Sequence, residues 1–221
     1  MVCPVASETG RFTQFWVDYG RLIFPPNTLA GPAIGGTLGN ARQRCVEEFL
    51  QTDASWLFMI DDDHLIRPDH IMRMLARDPV PILGSLYVNR DAPFRPSVYG
   101  APVYDARGQV DSFEGLFLDD LPTTGVVPVY AVGASGMLVR RQVFEGMTPP
   151  WFRLGQMDAI GEDMAFCHVA YQAGFRTYLD VEARLDHASI FTVAPDLQDG
   201  QWVTRITRGA CHLATKAAYL P

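Results

Sequence analysis

The chain has 221 residues, 48% of them hydrophobic and 19% charged, with a formal net charge of -7. That length and balance suit one large globular domain, or a domain with an attached lobe, with enough chain to bury a real core. The acidic excess argues against an extended nucleic-acid surface, because phosphate binding draws on clustered cations; a small local site for one nucleobase stays open.

Counts of 19 Gly and 16 Pro favour many connections and site-forming loops over a helix bundle. Cys3, Cys45, Cys167 and Cys211 are widely spaced without a CxxC pair, which fits reduced, buried thiols and gives no zinc signature. No stretch approaches a membrane span, and the start of the chain has no basic segment followed by an apolar one. A cytoplasmic protein is expected (the host cytoplasm if virus-encoded), with peripheral contact to a membrane left open.

Met1 to Pro4 reads as a very short first strand, with Val2 and Cys3 as its core positions. Phe12, Phe15, Trp16, Tyr19 and Leu22 then recur at helical spacing, a stripe that core packing explains more economically than a ligand does. Gly31 to Gly39 is rich in glycine but has no GxGxxG between a strand and a helix, so a dinucleotide fingerprint is not supported. A helix is expected from about Leu38 to Gln51, burying Ala41, Cys45, Val46 and Phe49 and exposing Arg42, Arg44, Glu47 and Glu48. Trp56 to Ile60 reads as a central strand. Pro68 opens a helix through Met72 and Leu75, and Pro79 to Leu83 makes the next strand. Strand, helix and strand in succession predict an α/β fold with a Rossmann-like, mainly parallel central sheet flanked by helices.

Between Leu86 and Pro128 the pattern changes. Tyr87, Val98, Tyr99, Val103 and Tyr104 suggest short strands, with a hairpin turn at Asp105-Ala106-Arg107-Gly108. Residues 86–128 are read as a small antiparallel insertion on the acceptor side of the site. Val126 to Val132 and Met137 to Val139 are strand-like on either side of Gly133-Ala134-Ser135-Gly136, whose glycines mark a bulge or a close approach of backbone. Trp151 and Phe152 suit core packing, with stacking on a sugar or base as the alternative. A helix from Glu162 to Ala173 closes at Gly174, and Phe175 to Leu179 is the last clear strand. Residues 1–188 then form the main domain. Residues 189–221 form a C-terminal tail or lid, with a final helix as the alternative over Trp202 to Leu220.

The chemistry concentrates where the strand stops, in Asp61-Asp62-Asp63-His64. Ligands of open α/β sheets bind outside the carboxyl ends of strands, and three adjacent carboxylates repel one another unless a cation compensates. A solvated acidic turn is the plain alternative. Glu162-Asp163 forms a second acidic cluster at a helix start, where the helix dipole accounts for one carboxylate and a fixed general base would account for the other. Asp186-His187 is the third. Asp63 and His187, with diphosphate oxygens and water, would complete an octahedral Mn²⁺ or Mg²⁺ site, and the imidazole leans towards Mn²⁺.

These pieces together resemble the GT-A glycosyltransferases, in particular the small family 2-like enzymes of bacteria and their viruses. The resemblance runs through Cys3-Pro4, Asn40-Ala41-Arg42, Trp56 to His64, Gly133 to Arg140, Gly161-Glu162-Asp163 and Asp186-His187, covering most of residues 2 to 188. It implies a GT-A-like domain over 1–188 and metal-dependent sugar transfer from a nucleotide-diphosphate donor, UDP-linked by family habit, to an acceptor hydroxyl. Asp63, with Asp61 beside it and His187 closing the site, would hold the metal. Asp163, with Glu162, would supply the base of an inverting displacement. Pro4, Val5, Arg42, Asp61, Asp62 and Gly136 would face the nucleotide sugar.

Several readings stay open on the sequence. A retaining transferase of the same fold, a metal-dependent nucleotidyltransferase and a non-catalytic sugar-binding module all accept part of the pattern. The acceptor is equally open among a glycan, a lipid-linked sugar, a small molecule and a modified nucleobase.

Overall fold

The computed structural model describes residues 1–6, 13–34, 36–77, 80–90, 94–152, 160–189, 192–198, 201–208 and 211–216. Phe12, expected in the first aromatic stripe, lies outside them, as do the side chains of Cys3, Pro4, Val5 and Cys211.

The chain begins with β1 (Val2–Ala6), α1 (Thr13–Tyr19), β2 (Ala33–Ile34), α2 (Leu38–Leu50) and β3 (Trp56–Asp61). Thr37 caps α2, its hydroxyl accepting from the Asn40 N–H at 3.3 Å. Next come β4 (His64–Leu65), α3 (His70–Leu75) and β5 (Ile82–Leu86), the last lying three residues further along than the sequence suggests. The middle of the chain forms β6 (Val98–Tyr104), β7 (Val110–Gly115), β8 (Val126–Val129) and β9 (Ala131–Val132). Then follow β10 (Met137–Arg140), α4 (Arg141–Gly146), α5 (Glu162–Gln172), β11 (Thr177–Arg184) and β12 (Asp186–His187).

The central sheet has seven strands in the order β2-β1-β3-β10-β5-β11-β8. Three of its pairings are parallel and three antiparallel, and every pairing in the three smaller sheets is antiparallel. The mainly parallel sheet expected from the sequence is therefore wrong: the sheet is mixed, and antiparallel ladders are the majority in the described protein. The reason lies in the connection from β5 to β10. A parallel return needs a crossover, usually a helix, and the described residues of that connection hold only short strands and one 3₁₀ turn. β10 consequently enters between β3 and β5 running against both.

Helices cover both faces of the sheet, which is why β3 is apolar at every central position. Leu57 and Met59 face one core cluster with Cys45, Phe49 and Phe166, while Phe58 and Ile60 face a second with Phe15, Ile71 and Met74. Phe152 stacks on Phe166 at 4.8 Å and the Trp151 indole N–H donates to the Phe144 carbonyl at 2.8 Å, so this aromatic pair packs the core. Cys45 and Cys167 are buried thiols outside any disulfide, and burial pushes Cys167 up to about 12. Beyond β12, where a final helix or tail was expected, the chain forms β13 (Thr192–Gln198), β14 (Gln201–Arg208) and β15 (Cys211–Lys216) in one antiparallel sheet. β11 is accordingly not the last strand.

Behind the sheet, His70 is buried with its Nε2 2.8 Å from Ser85 Oγ, which itself donates to the Gly136 carbonyl at 2.8 Å. The ring therefore donates from Nε2 and stays neutral, and burial lowers its pKa from 6.5 to about 4. Between those values the unfolded chain binds more protons than the folded one, so stability rises with pH through that window. His70's neutral form gives its full contribution above pH 6.5, and that contribution is lost as the pH falls towards 4. Urea titrations should show about 3 kcal/mol of acid-induced loss assigned to this ring. His70→Gln should flatten the pH dependence relative to wild type, and an unchanged slope would contradict the assignment.

Candidate metal and active site

Three routes bring side chains to the carboxyl end of β3. The strand itself ends in Asp61, and the turn that follows carries Asp62 and Asp63 before His64 begins β4. Because β10 is antiparallel to β3, its start, with the preceding 133–136 loop, lies at this same edge: Met137 pairs with Met59, and the Gly136 N–H donates to the Met59 carbonyl at 2.8 Å. β12 then pairs with β4 so that His187 lies opposite His64.

That last pairing builds the centre. Directly opposite residues of a ladder share a face, and the two imidazoles stack with centroids 4.1 Å apart, with Tyr87 edge-on to both. His187 Nδ1 lies 2.9 Å from the Val88 carbonyl, to which it must donate its proton. A neutral His187 ring therefore turns the lone pair of Nε2 towards Asp63 Oδ2, 3.4 Å away. Two acceptors facing each other call for a proton on Nε2 or a cation at Oδ2, and Arg90 Nη1, 2.8 Å from Oδ2, supplies such a charge in this structure. His64 Nδ1 approaches Asp63 Oδ1 at 2.9 Å, yet that oxygen and His64 Nε2 are both buried without a hydrogen-bond partner. Burial opposes the charge on Asp63, but His187 and His64 outweigh it and hold the carboxyl well below its usual range.

Asp63, His64 and His187 offer ligand atoms that all lie within 4.8 Å of one another, the one such cluster among the described residues. The set fits a divalent cation on three counts. It mixes imidazole with carboxylate, its His187 tautomer is fixed by a backbone carbonyl in the manner of metal-bound histidines, and it leaves buried polar atoms unpaired. His64, which is not among the metal residues expected from the sequence, belongs to the cluster beside His187. The signal available was its place one residue beyond Asp63; the pairing of β4 with β12 was not readable.

Asp61, the other expected metal residue, is turned elsewhere. Its two oxygens take Arg42 Nη2 at 2.8 and 2.9 Å, and its backbone N–H donates to Ser135 Oγ at 3.1 Å. Arg42 Nη1 also pairs with Glu162 at the start of α5. Arg42 is only 2% exposed, so the outward position expected on α2 is incorrect. Burial works against its charge, but Asp61, Asp163 and Glu162 raise its pKa further than burial lowers it. Glu162 in turn is raised by burial, an effect Arg42 opposes and Asp163 reinforces.

Asp163 is held at two oxygens: Oδ1 accepts from the Met164 N–H at 2.8 Å, and Oδ2 from the Ala134 N–H at 3.3 Å. Gly136 sits at φ +69°, and a Cβ there would come within 2.5 Å of Ser85 Oγ and 2.6 Å of Leu185. Protein therefore fills the space beside Gly136, and glycine is required for packing. Asp62 is buried. The backbones of Pro4 and Val5 pair with Ile60 and Asp61.

A cavity of about 340 Å³ borders Tyr87, Val88 and Asp186 and is walled by Leu118, Leu121, Pro122 and Thr123. A larger one of about 620 Å³ opens at the amino-terminal ends of β1 and β3, near Val2 and Trp56. It is the wrong end of the sheet for these side chains, and the polar geometry identifies the site better than cavity size does.

No protein-family model matches the sequence, and no curated protein does. Among solved structures, A197 from STIV is similar over 99% of this chain and 98% of its own, with a TM-score of 0.54 at 16% identity. TarS 1-349 from S. aureus is similar over 85% of this chain, with a TM-score of 0.50 at 11% identity, and this chain spans 60% of that one. Such identities speak to fold alone, and the fold is GT-A-like. Among the described residues no helix is long and apolar enough to cross a membrane.

Arg42 is the element of the site most exposed to test by substitution. Arg42→Met leaves the half-buried Asp61 and Glu162 without their cation and should cost about 3–5 kcal/mol of unfolding free energy. A loss below about 1 kcal/mol, the range of surface pairs, would show that other contacts hold these carboxylates.

Proposed function

We propose that the protein is a metal-dependent glycosyltransferase that moves a sugar from a nucleotide-diphosphate donor, favourably UDP-linked, to an acceptor hydroxyl. The observation that carries this reading is the Asp63, His64 and His187 cluster at the carboxyl end of β3. In this reading Asp63 and His187 hold Mn²⁺ or Mg²⁺, with His64 as a further ligand or as the orienting partner of Asp63. When bound, the cation neutralises the donor diphosphate and the charge that develops as it departs.

The remaining residues divide the work. Asp61, fixed by Arg42, keeps lone pairs for the ribose or a metal-bound water. Arg42 acts through Asp61 and Glu162, not by touching the nucleotide. The ends of Pro4 and Val5 would face the nucleobase, Asp62 shapes the acidic turn, and Gly136 keeps the loop close against Ser85. Asp163 is the proposed base: its carboxylate is oriented by two backbone N–H groups, the contact on Oδ2 is long at 3.3 Å, and it sits on a helix start. Glu162 beside it tunes the local charge. As the acceptor oxygen attacks the anomeric carbon, its proton passes to Asp163, the bond to the diphosphate breaks, and configuration inverts.

The acceptor would enter beside the 118–123 segment, whose apolar wall forms the 340 Å³ cavity next to Tyr87. A glycan, a lipid-linked sugar, a small molecule or a single exposed nucleobase would all present a hydroxyl there.

Incubation with Mn²⁺ and UDP-, GDP-, CDP- and dTDP-sugars should release free nucleotide from at least one donor. Asp163→Asn should then lower kcat by roughly 10²- to 10⁴-fold while donor affinity is kept. Absence of metal-dependent binding across all four nucleotides would remove the reading. Near-normal turnover in Asp163→Asn would remove the base and leave a retaining transfer as its replacement.

A further inference from the structure

Arg90 brings a second guanidinium to this region, and it differs from Arg42 in a telling way. Its Nη1 lies 2.8 Å from Asp63 Oδ2, the same oxygen that His187 Nε2 faces at 3.4 Å. Arg42 is locked between carboxylates with a side chain 3% exposed, whereas the Arg90 side chain is 37% exposed. The backbone of the two residues before it, by contrast, is anchored. Val88 bridges to Pro96, the Asn89 N–H donates to the Arg95 carbonyl at 2.8 Å, and the Val88 carbonyl is the one that orients His187. Arg90 thus stands two residues from the group that orients His187, just past an anchored segment, with an arm that reaches solvent.

Geometry makes Arg90 and a divalent cation rivals for Asp63 Oδ2. A carboxylate this enclosed needs a counter-charge at all times. A second cation on the same oxygen would repel the first. We propose that Arg90 is a displaceable counter-ion: it neutralises Asp63 until a divalent cation takes Oδ2, and its freed guanidinium then engages the diphosphate of a nucleotide. The planar fork of arginine matches paired phosphate oxygens, and the solvent-facing arm is long enough to exchange partners without moving the anchored backbone before it. Cation binding and diphosphate binding are thereby coupled through one side chain, each favouring the other. The inference rests on the proposed metal site and adds to it a residue that links the two ligands.

Calorimetric titration of the full chain with MnCl₂ alone, and then with UDP at saturating Mn²⁺, separates the possibilities. Arg90→Ala should bind Mn²⁺ roughly two- to five-fold more tightly, since a partly exposed competing ion pair is gone. The same variant should bind UDP with Mn²⁺ at least about ten-fold more weakly, through loss of a charged hydrogen bond to phosphate. Arg90→Lys, which keeps the charge, should return Mn²⁺ affinity towards wild type. Unchanged or weaker Mn²⁺ binding in Arg90→Ala, or unchanged UDP binding, would overturn the role of Arg90 while leaving the metal site standing. If neither wild type nor Arg90→Ala binds Mn²⁺, the metal reading fails and this inference falls with it.

Discussion

A guanidinium buried among carboxylates, that of Arg42, is the constraint on which the site depends. It reaches from α2 to Asp61 at the end of β3 and to Glu162 at the start of α5, drawing three elements to one point. Asp61, Glu162 and Asp163 could not converge there on their own, because like charges in a shielded setting repel strongly. Taking the ions out of water is costly, so such a network adds little net stability, but it fixes carboxylate directions that a flexible surface would leave loose. Asp163, whose charge Arg42 feels, is oriented beside that network by the Met164 and Ala134 N–H groups.

The mixed sheet has a functional consequence. On the side of β3 away from β1, a parallel neighbour would bring its own carboxyl end to this edge. The antiparallel β10 instead brings the loop that precedes it, with Ser135 as a link. Ser135 Oγ accepts from the Asp61 N–H at 3.1 Å and lies 3.0 Å from His64 Nδ1. One hydroxyl thus joins the Arg42 network to the histidine cluster. Gly133 and Gly136 allow that loop to run close: a Cβ at Gly133 would come within 1.8 Å of the Tyr87 hydroxyl oxygen, which lies beside the histidines.

How much of this was legible in the sequence depends on how far apart the partners lie. The β3 run with its acidic end, the helices α2, α3 and α5, the hairpin at 105–108 and the choice of Asp63 and His187, which the structure brings into one cluster, all follow from local patterns of apolar spacing and charge. Arg42 did not. Its neighbours Ala41 and Cys45 mark the buried face, yet an arginine on that face reads as exposed until partners 19 and 120 residues away are known. The place of His64 in the cluster was not readable because it depends on opposing His187 across a two-residue ladder, too short to leave a pattern. The mainly parallel sheet was expected for a related reason: periodicity identifies a strand but not its neighbour or its sense, and β10 runs against both of its neighbours. In the C-terminal stretch the signal was present, since Val203, Thr204, Ile206 and Thr207 are β-branched residues suited to β14.

The central claim is that a divalent cation belongs between Asp63 and the His187 Nε2 lone pair. Pulsed electron paramagnetic resonance of the Mn²⁺-loaded protein reads imidazole nitrogen bound to the metal directly. The account predicts ¹⁴N modulation in wild type, lost or halved in His187→Gln. Mn²⁺ bound without nitrogen modulation, or modulation that persists unchanged in His187→Gln, would contradict it.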